Sequence, residues 1–411
     1  MWRIVHAGIT ACVMAVVSAL SSPAAGAPKT IKAGRLVDPS GRIIPNAVIV
    51  VDNDRITSVG SAPAPAGTEV IDLSRYTVIP GMIDMTYFWD PASGGRPLGQ
   101  PRRPAGVTTV LAADNARRTL EAGVTTVRDL GASNEIDYAM RDLINMGRMV
   151  GPRMFVAGQG LSAGRGGGPN PDLFRQQAEA RIAAGSDWVK IFGSRGSFQS
   201  VETTQTVTFD EMKAAVDAAH ARNHRVAIHS YGPSGVKDAV RAGADSVEHG
   251  IDLDDDTLAD MVKRGTVWVP TIDHNRYYVD AKDEYGFAPE AIPALQAYIE
   301  KNLESARRAV KAGVKIAMGS DAVFSMFGQN TRELGWFVKA GMTPAQALAA
   351  ATTIPAALLD REHELGAIAA GYLADIVAVD GDPLTDVNVL IQKVRWVMKG
   401  GAVVVDHTRT R

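Results

Sequence analysis

The sequence predicts an α/β protein: a (β/α)8, TIM-like barrel with a small β-sandwich domain assembled from both chain ends. Three observations carry this. Eight short apolar runs recur through the middle of the chain, and most close on a polar residue. Stretches with helical spacing, such as 209–222 and 300–312, separate several of them. Strand-like runs broken by turn residues occupy both ends. Alternating β and α segments favour a parallel sheet, and eight strands close the barrel whose strand C-termini face the active site.

At the N-terminus, Arg3 and His6 precede an apolar run over 9–20 and then Ala25-Gly26-Ala27. This is the pattern of an export signal over residues 1–27, cut after Ala27, and it implies a periplasmic or secreted protein. The run is shorter than the roughly 20 residues that span a bilayer, so no membrane partner is expected after cleavage. Cys12, the single cysteine, lies inside the signal. The mature chain therefore has no disulfide to brace it and relies on its core.

Residues 28–79 supply strand-like runs at 30–33, 47–51 and 55–59, with Asp38-Pro39-Ser40-Gly41 and Asp52-Asn53-Asp54 as turns. The same texture returns in 366–411, at 374–379 and 394–398. These two segments make the small β-domain, and 80–365 the barrel. Its strands are read at 78–85, 124–127, 154–157, 188–189, 226–228, 246–248, 267–270 and 316–320, with the Gly-rich 158–171 as an active-site loop.

With 411 residues, 46% hydrophobic residues and a net charge of −2, the chain can bury a large core and lacks the basic excess of a nucleic-acid binder. A small-molecule substrate is the expected partner, and a homo-oligomer is compatible with this composition. Lys190, His229, His249 and Asp321 each close a barrel run. Imidazoles and carboxylates at neighbouring strand ends are ligands that Zn(2+) takes, and a carboxylate beside a metal-bound water can accept its proton. Lys190 is the odd member, since an ammonium repels a cation; burial lowers a lysine pKa, and the neutral amine can react or be modified. Bland roles compete: core histidines, a Lys190–Asp321 structural ion pair, Asp321 as a cap, Tyr231 as packing. Arg128 and Arg165 could receive a substrate carboxylate. His274, three residues past Thr271, could enter the pocket and replace a lost ligand. Tyr87, Phe88, Trp89, Tyr277, Tyr278, Phe324 and Phe327 follow strand ends and suit an aromatic or dipeptide-like substrate.

A set of motifs then narrows the choice: PGMIDM at 80–85, AGVTTVRDLG at 122–131, DWVKI at 187–191, VAIHSYG at 226–232, AGADSVEHG at 242–250, IAMGSDA at 316–322, AGMTPAQALAAAT at 340–352 and GYLADIVAVDGDPL at 371–384. In this order they resemble the amidohydrolase superfamily, and are similar to its imidazolonepropionase-like branch with prolidase-like dipeptidases and ochratoxin-type amidases. The resemblance implies that Lys190 is carboxylated to a metal-bridging carbamate, that His229 and His249 bind the outer metal, that Asp321 is both ligand and general base, and that Tyr231 polarises the substrate carbonyl. The sequence departs from the family where Thr86 and Phe88 stand at the two positions of its first-strand histidines, and at Gly164-Arg165-Gly166-Gly167-Gly168, where relatives often place another histidine. Phenylalanine cannot ligate a metal, so one Zn(2+) or similar ion per chain is expected, on His229, His249 and carboxylated Lys190. The function implied is a secreted, metal-dependent hydrolase of a C–N bond in an amide, peptide or cyclic amide. The alternatives are metal-free acid–base or Schiff-base chemistry by Lys190 and Asp321, or a binding protein that kept the barrel.

Overall fold

In the computed structural model, residues 27–87, 105–132, 135–163, 168–196, 201–281 and 291–408 are described. Residues 1–26, all but the last of the expected export signal 1–27, lie outside them, as do Phe88, Trp89 and Arg165. The strands, in chain order, are β1 (Lys29–Val37), β2 (Ile43–Pro45), β3 (Val48–Asp52), β4 (Arg55–Gly60), β5 (Glu69–Pro80), β6 (Met82–Tyr87), β7 (Val124–Asp129), β8 (Arg153–Val156), β9 (Leu161–Ser162), β10 (Trp188–Phe192), β11 (Arg225–His229), β12 (Ser246–Glu248), β13 (Val267–Val269), β14 (Ile376–Val379), β15 (Val394–Lys399) and β16 (Ala402–Asp406).

Both chain ends meet in one sheet, ordered β16-β15-β14-β5-β1-β3-β4 with β2 paired to β1. Two facing sheets are expected from the sequence; the described strands instead form a single sheet that closes over its own core. Ile49, Val51 and Ile56 from one end share a buried cluster with Ile376, Ala378, Trp396 and Met398 from the other. A bulge helps the sheet bend, where the β1–β5 register shifts between Ala33 and Arg35. Gly34 sits in that bulge, and a Cβ there would lie 2.3 Å from the Ser74 carbonyl oxygen, so only glycine fits.

The centre of the chain builds a TIM-barrel-like α/β layer. β6, β7 and β8 form one parallel sheet, and β9 to β13 a second, ordered β13-β12-β11-β10-β9. Residues 316–320, expected as the eighth strand, form no regular strand, so the described strands do not close the expected barrel. This segment bridges the two sheets, as Trp268 N–H donates to Lys315 O (2.9 Å) and Ala317 N–H to Trp268 O (3.0 Å), while Met85 N–H donates to Met318 O (2.9 Å). Across the other gap, Asp187 N–H donates to Val156 O (2.7 Å). Helices such as Phe209–His220, Pro233–Ala242 and Asp255–Arg264 follow successive strands. The first is fixed by a capping box between Thr208 and Glu211.

Strand alternation sorts the core into two layers. Val189, Ile191, Val226, Ile228, Val247 and Trp268 pack in the larger cluster with the helices. Trp188, Ala227, Val267, Val269 and Ala317 share a separate inner cluster. Two residues beyond an inner position lies another, so Lys190 follows Trp188 and His229 follows Ala227. The same pleat that fills the interior with hydrocarbon aims the chemistry at its C-terminal mouth.

Candidate functional site

Three site residues adopt a left-handed backbone conformation: His249 (φ 66°), Thr271 (φ 50°) and Asp321 (φ 47°). Non-glycine residues rarely adopt it, least of all a β-branched threonine, and such departures cluster at functional sites. The turn lets consecutive residues Glu248 and His249 both reach the interior instead of alternating. It is held by the Trp268 indole N–H, which donates to the His249 carbonyl.

The imidazoles of His229 and His249 lie edge to face, centroids 4.6 Å apart, and Tyr231 packs on both at 5.1 and 4.8 Å. His249 Nδ1 is 2.6 Å from the Thr271 hydroxyl, which leaves Nε2 free for another partner. Burial drives both imidazoles well below the ordinary histidine pKa, and the Lys190 charge adds to the effect, so they are neutral. Lys190 is 1% exposed, and its Nζ has no hydrogen-bond partner. Burial pulls its pKa down to about 8 against the opposing pull of Glu248 and Asp321. An amine so poised is unprotonated in about a tenth of molecules at pH 7, far more than an ordinary lysine, and is open to modification.

Asp321 is buried, and burial raises its pKa, with His274 and Lys190 pulling the other way. His274 Nε2 lies 3.3 Å from Asp321 Oδ2, and its Nδ1 is 2.7 Å from the Asp321 carbonyl oxygen. One imidazole thus fixes both the backbone and the carboxylate of Asp321. His274 does reach the site, but from a helix, Ile272–Asp280, and as the partner of Asp321. Tyr278 stacks edge-on against it at 4.9 Å.

Beneath these groups the interior is ionic. Arg128 Nη2 meets Glu248 Oε1 at 2.8 Å, both fully buried, while Arg128 also donates to Ser246 Oγ (2.9 Å) and Met85 O (2.7 Å) and lies 4.4 Å over Trp188. Removing either partner would strand a buried charge, at a cost of about 3–5 kcal/mol. Arg128 is therefore not available to a substrate carboxylate, which corrects its assignment to the pocket. Thr86 faces inward as expected, but its hydroxyl donates to the Glu248 carboxylate and it is 0% exposed, so it too lines no open pocket. Irregular pairing of β6 with β7 between Asp84 and Tyr87 breaks the alternation there. Asp84, pushed up to about 6 by burial, faces away to Ser320 and Asn330.

The structure thus gathers Lys190, His229, His249, Tyr231, His274 and Asp321, and sets Arg128 and Thr86 below them. Phe88 and Arg165 lie outside the described residues. Sequence reasoning missed Glu248, Thr271 and Glu333. Glu248 carried a signal, a charged residue sharing an inward position with Ser246; the other two act through long-range backbone contacts that leave none.

Does the donor set fit a metal? Among the described residues no three His, Cys, Asp or Glu side chains gather in a metal-binding group. Two neutral imidazoles do face each other beside the orphaned Lys190 Nζ, and a carbamate on that nitrogen would complete three ligands, the count of a catalytic zinc site. One ion fits on that condition. A second, deeper ion does not, because Thr86 and Glu248 already satisfy one another.

Comparison with known proteins bears on the family and the overall fold. A family model described as the amidohydrolase family matches residues 77–404. The crystal structure of a Xaa-Pro dipeptidase with bound methionine in its active site superposes with a TM-score of 0.84 at 30% identity, covering 92% of this chain and 99% of that one. Ochratoxinase of Aspergillus niger is 28% identical over 420 residues, 90% of this chain and 85% of its own. Imidazolonepropionase of Streptomyces griseus is 26% identical over 375 residues, 82% of this chain and 86% of its own.

Proposed function

The chain belongs to the amidohydrolase family and is a hydrolase of C–N bonds, and from that premise we propose that it cleaves an amide bond in a small dipeptide-like or aromatic substrate with one divalent, zinc-type metal. The observation that carries the metal assignment is Lys190 Nζ: a fully buried nitrogen with no hydrogen-bond partner, beside two imidazoles held neutral. His229, His249 and carboxylated Lys190 would hold the ion. When bound, such an ion lowers the pKa of a water toward neutrality and polarises a carbonyl. A carbamate on Lys190 would also replace a positive charge by a negative one, so that a cation beside the two neutral imidazoles would meet an anion and not an ammonium.

The protein's own groups then divide the proton work. Asp321, its pKa raised by burial and its carboxylate steadied by His274, accepts a proton from the attacking water and passes it to the leaving nitrogen. Tyr231 is held as a neutral phenol, since burial and the Asp321 charge raise its pKa, so its hydroxyl can donate to the substrate carbonyl oxygen. The same pocket excludes bulk water from both groups.

The test is product analysis by mass spectrometry on a panel of dipeptides, N-acyl amino acids and cyclic amides in H2(18)O. The expected result is cleavage of at least one class with one (18)O in the new carboxyl group. Folded, zinc-supplemented protein that cleaves none of the panel would count against the reading. A second reading has support in the Lys190 pKa of about 8: a metal-free amine working with Asp321. Activity that survives chelation would favour it.

A further inference from the structure

The helix Ile272–Asp280 carries His274 into the site, yet its own start is unusual. Thr271 occupies the N-cap position, but its side chain makes no capping hydrogen bond. Its hydroxyl is spent on His249 Nδ1, 2.6 Å away. One amide it could have served, that of Asp273, is taken by Glu333 from a helix 60 residues further on, together with the amide before it: Oε1 accepts from Ile272 N–H (2.9 Å) and Oε2 from Asp273 N–H (2.8 Å). Glu333 is 0% exposed. A buried carboxyl group bonded through both oxygens to two successive amides of a helix N-terminus fixes that turn in place; burial pushes its pKa up to about 8, while the two N–H bonds pull the other way. The turn so fixed includes Thr271, held at φ 50°.

We propose that Glu333 is a positioning residue for the hydrolytic site: by capping Ile272–Asp280 in place of Thr271, it frees the Thr271 hydroxyl to orient His249 and seats His274 against Asp321. The neighbouring Asp273 braces the same turn from outside. Its carboxylate meets Arg276 (2.8 Å), Arg332 (3.4 Å) and the Trp336 indole N–H (2.9 Å), so Arg332, Glu333 and Trp336 all grip the helix start. One carboxyl group outside the site thereby governs two histidines within it. The proposal assigns the His249–Thr271 bond to a donating Nδ1–H, which leaves the Nε2 lone pair for the cavity, the tautomer a ligand needs.

The role assigned to the histidines rests on the proposed function, so the experiment needs a readout that does not depend on turnover. In protein labelled with (15)N-histidine, the His249 ring shifts report its tautomer. The wild type should show one fixed form, while Glu333→Gln, which puts an amide NH2 against a backbone N–H, should show a mixture. On the best substrate of the panel, kcat should fall about tenfold or more with KM changed less than about threefold. Thr271→Val should do the same, and the double variant should be no worse than either single by more than about threefold, since both act through one ring orientation. An unchanged His249 tautomer in Glu333→Gln, or losses that multiply in the double variant, would overturn the proposal. Should Glu333→Gln fail to fold, Thr271→Val alone decides: an unchanged tautomer there removes the link to His249. A wild type that cleaves no substrate would instead fault the proposed function, and leave the tautomer result to stand by itself.

Discussion

Replacing either imidazole, His229→Asn or His249→Asn, is expected to lower kcat by about a thousandfold or more and to strip the metal from the purified protein. Both rings are needed because, among the described residues, no three His, Cys, Asp or Glu side chains already form a metal-binding group. Asparagine keeps some polarity and volume, so the fold should survive and circular dichroism should match the wild type. Elemental analysis and steady-state kinetics on the same preparation check this. Two variants with wild-type turnover would remove these histidines from the chemistry.

Asp321→Asn should produce a different phenotype. The amide cannot take a proton, so kcat should fall about a hundred- to ten-thousandfold, while the metal is retained because its proposed ligands are elsewhere. His274 loses the carboxylate at 3.3 Å but keeps its bond to the Asp321 carbonyl, so the turn should hold. Because burial raises the Asp321 pKa, the acidic limb of the wild-type rate profile should lie above the range of a free aspartate. That limb marks loss of the ionised base as pH falls, and it should vanish in Asp321→Asn. A variant that loses its metal together with its activity would make Asp321 a ligand first.

Much of this architecture was legible in the sequence, for a simple reason. A parallel strand buried on both faces reads as an apolar run, so a lysine, histidine or aspartate at its end stands out. Lys190, His229, His249 and Asp321 were found in that way, and the structure brings them to one mouth. His274 was legible only as a candidate, since nothing local says that residues 272–280 are helical or that the ring would turn to Asp321. Arg128 was misplaced because its partner, Glu248, is 120 residues away. Nor do single residues announce a left-handed φ: the turns at His249, Thr271 and Asp321, which decide where the side chains point, are imposed by packing. The small β-domain shows the same limit. Alternation marks the strands, while register shifts such as the one at Gly34 belong to the pairing of distant strands into one sheet.

The measurement closest to the central claim is the metal content of the purified protein, determined together with amide hydrolysis before and after chelation. We expect about one zinc-type ion per chain, activity lost on chelation, and activity restored by that ion when bicarbonate is present to rebuild the carbamate on Lys190. Protein that holds no metal and hydrolyses its substrate equally well in chelator would contradict the account, and would pass the chemistry to an unmodified Lys190 acting with Asp321.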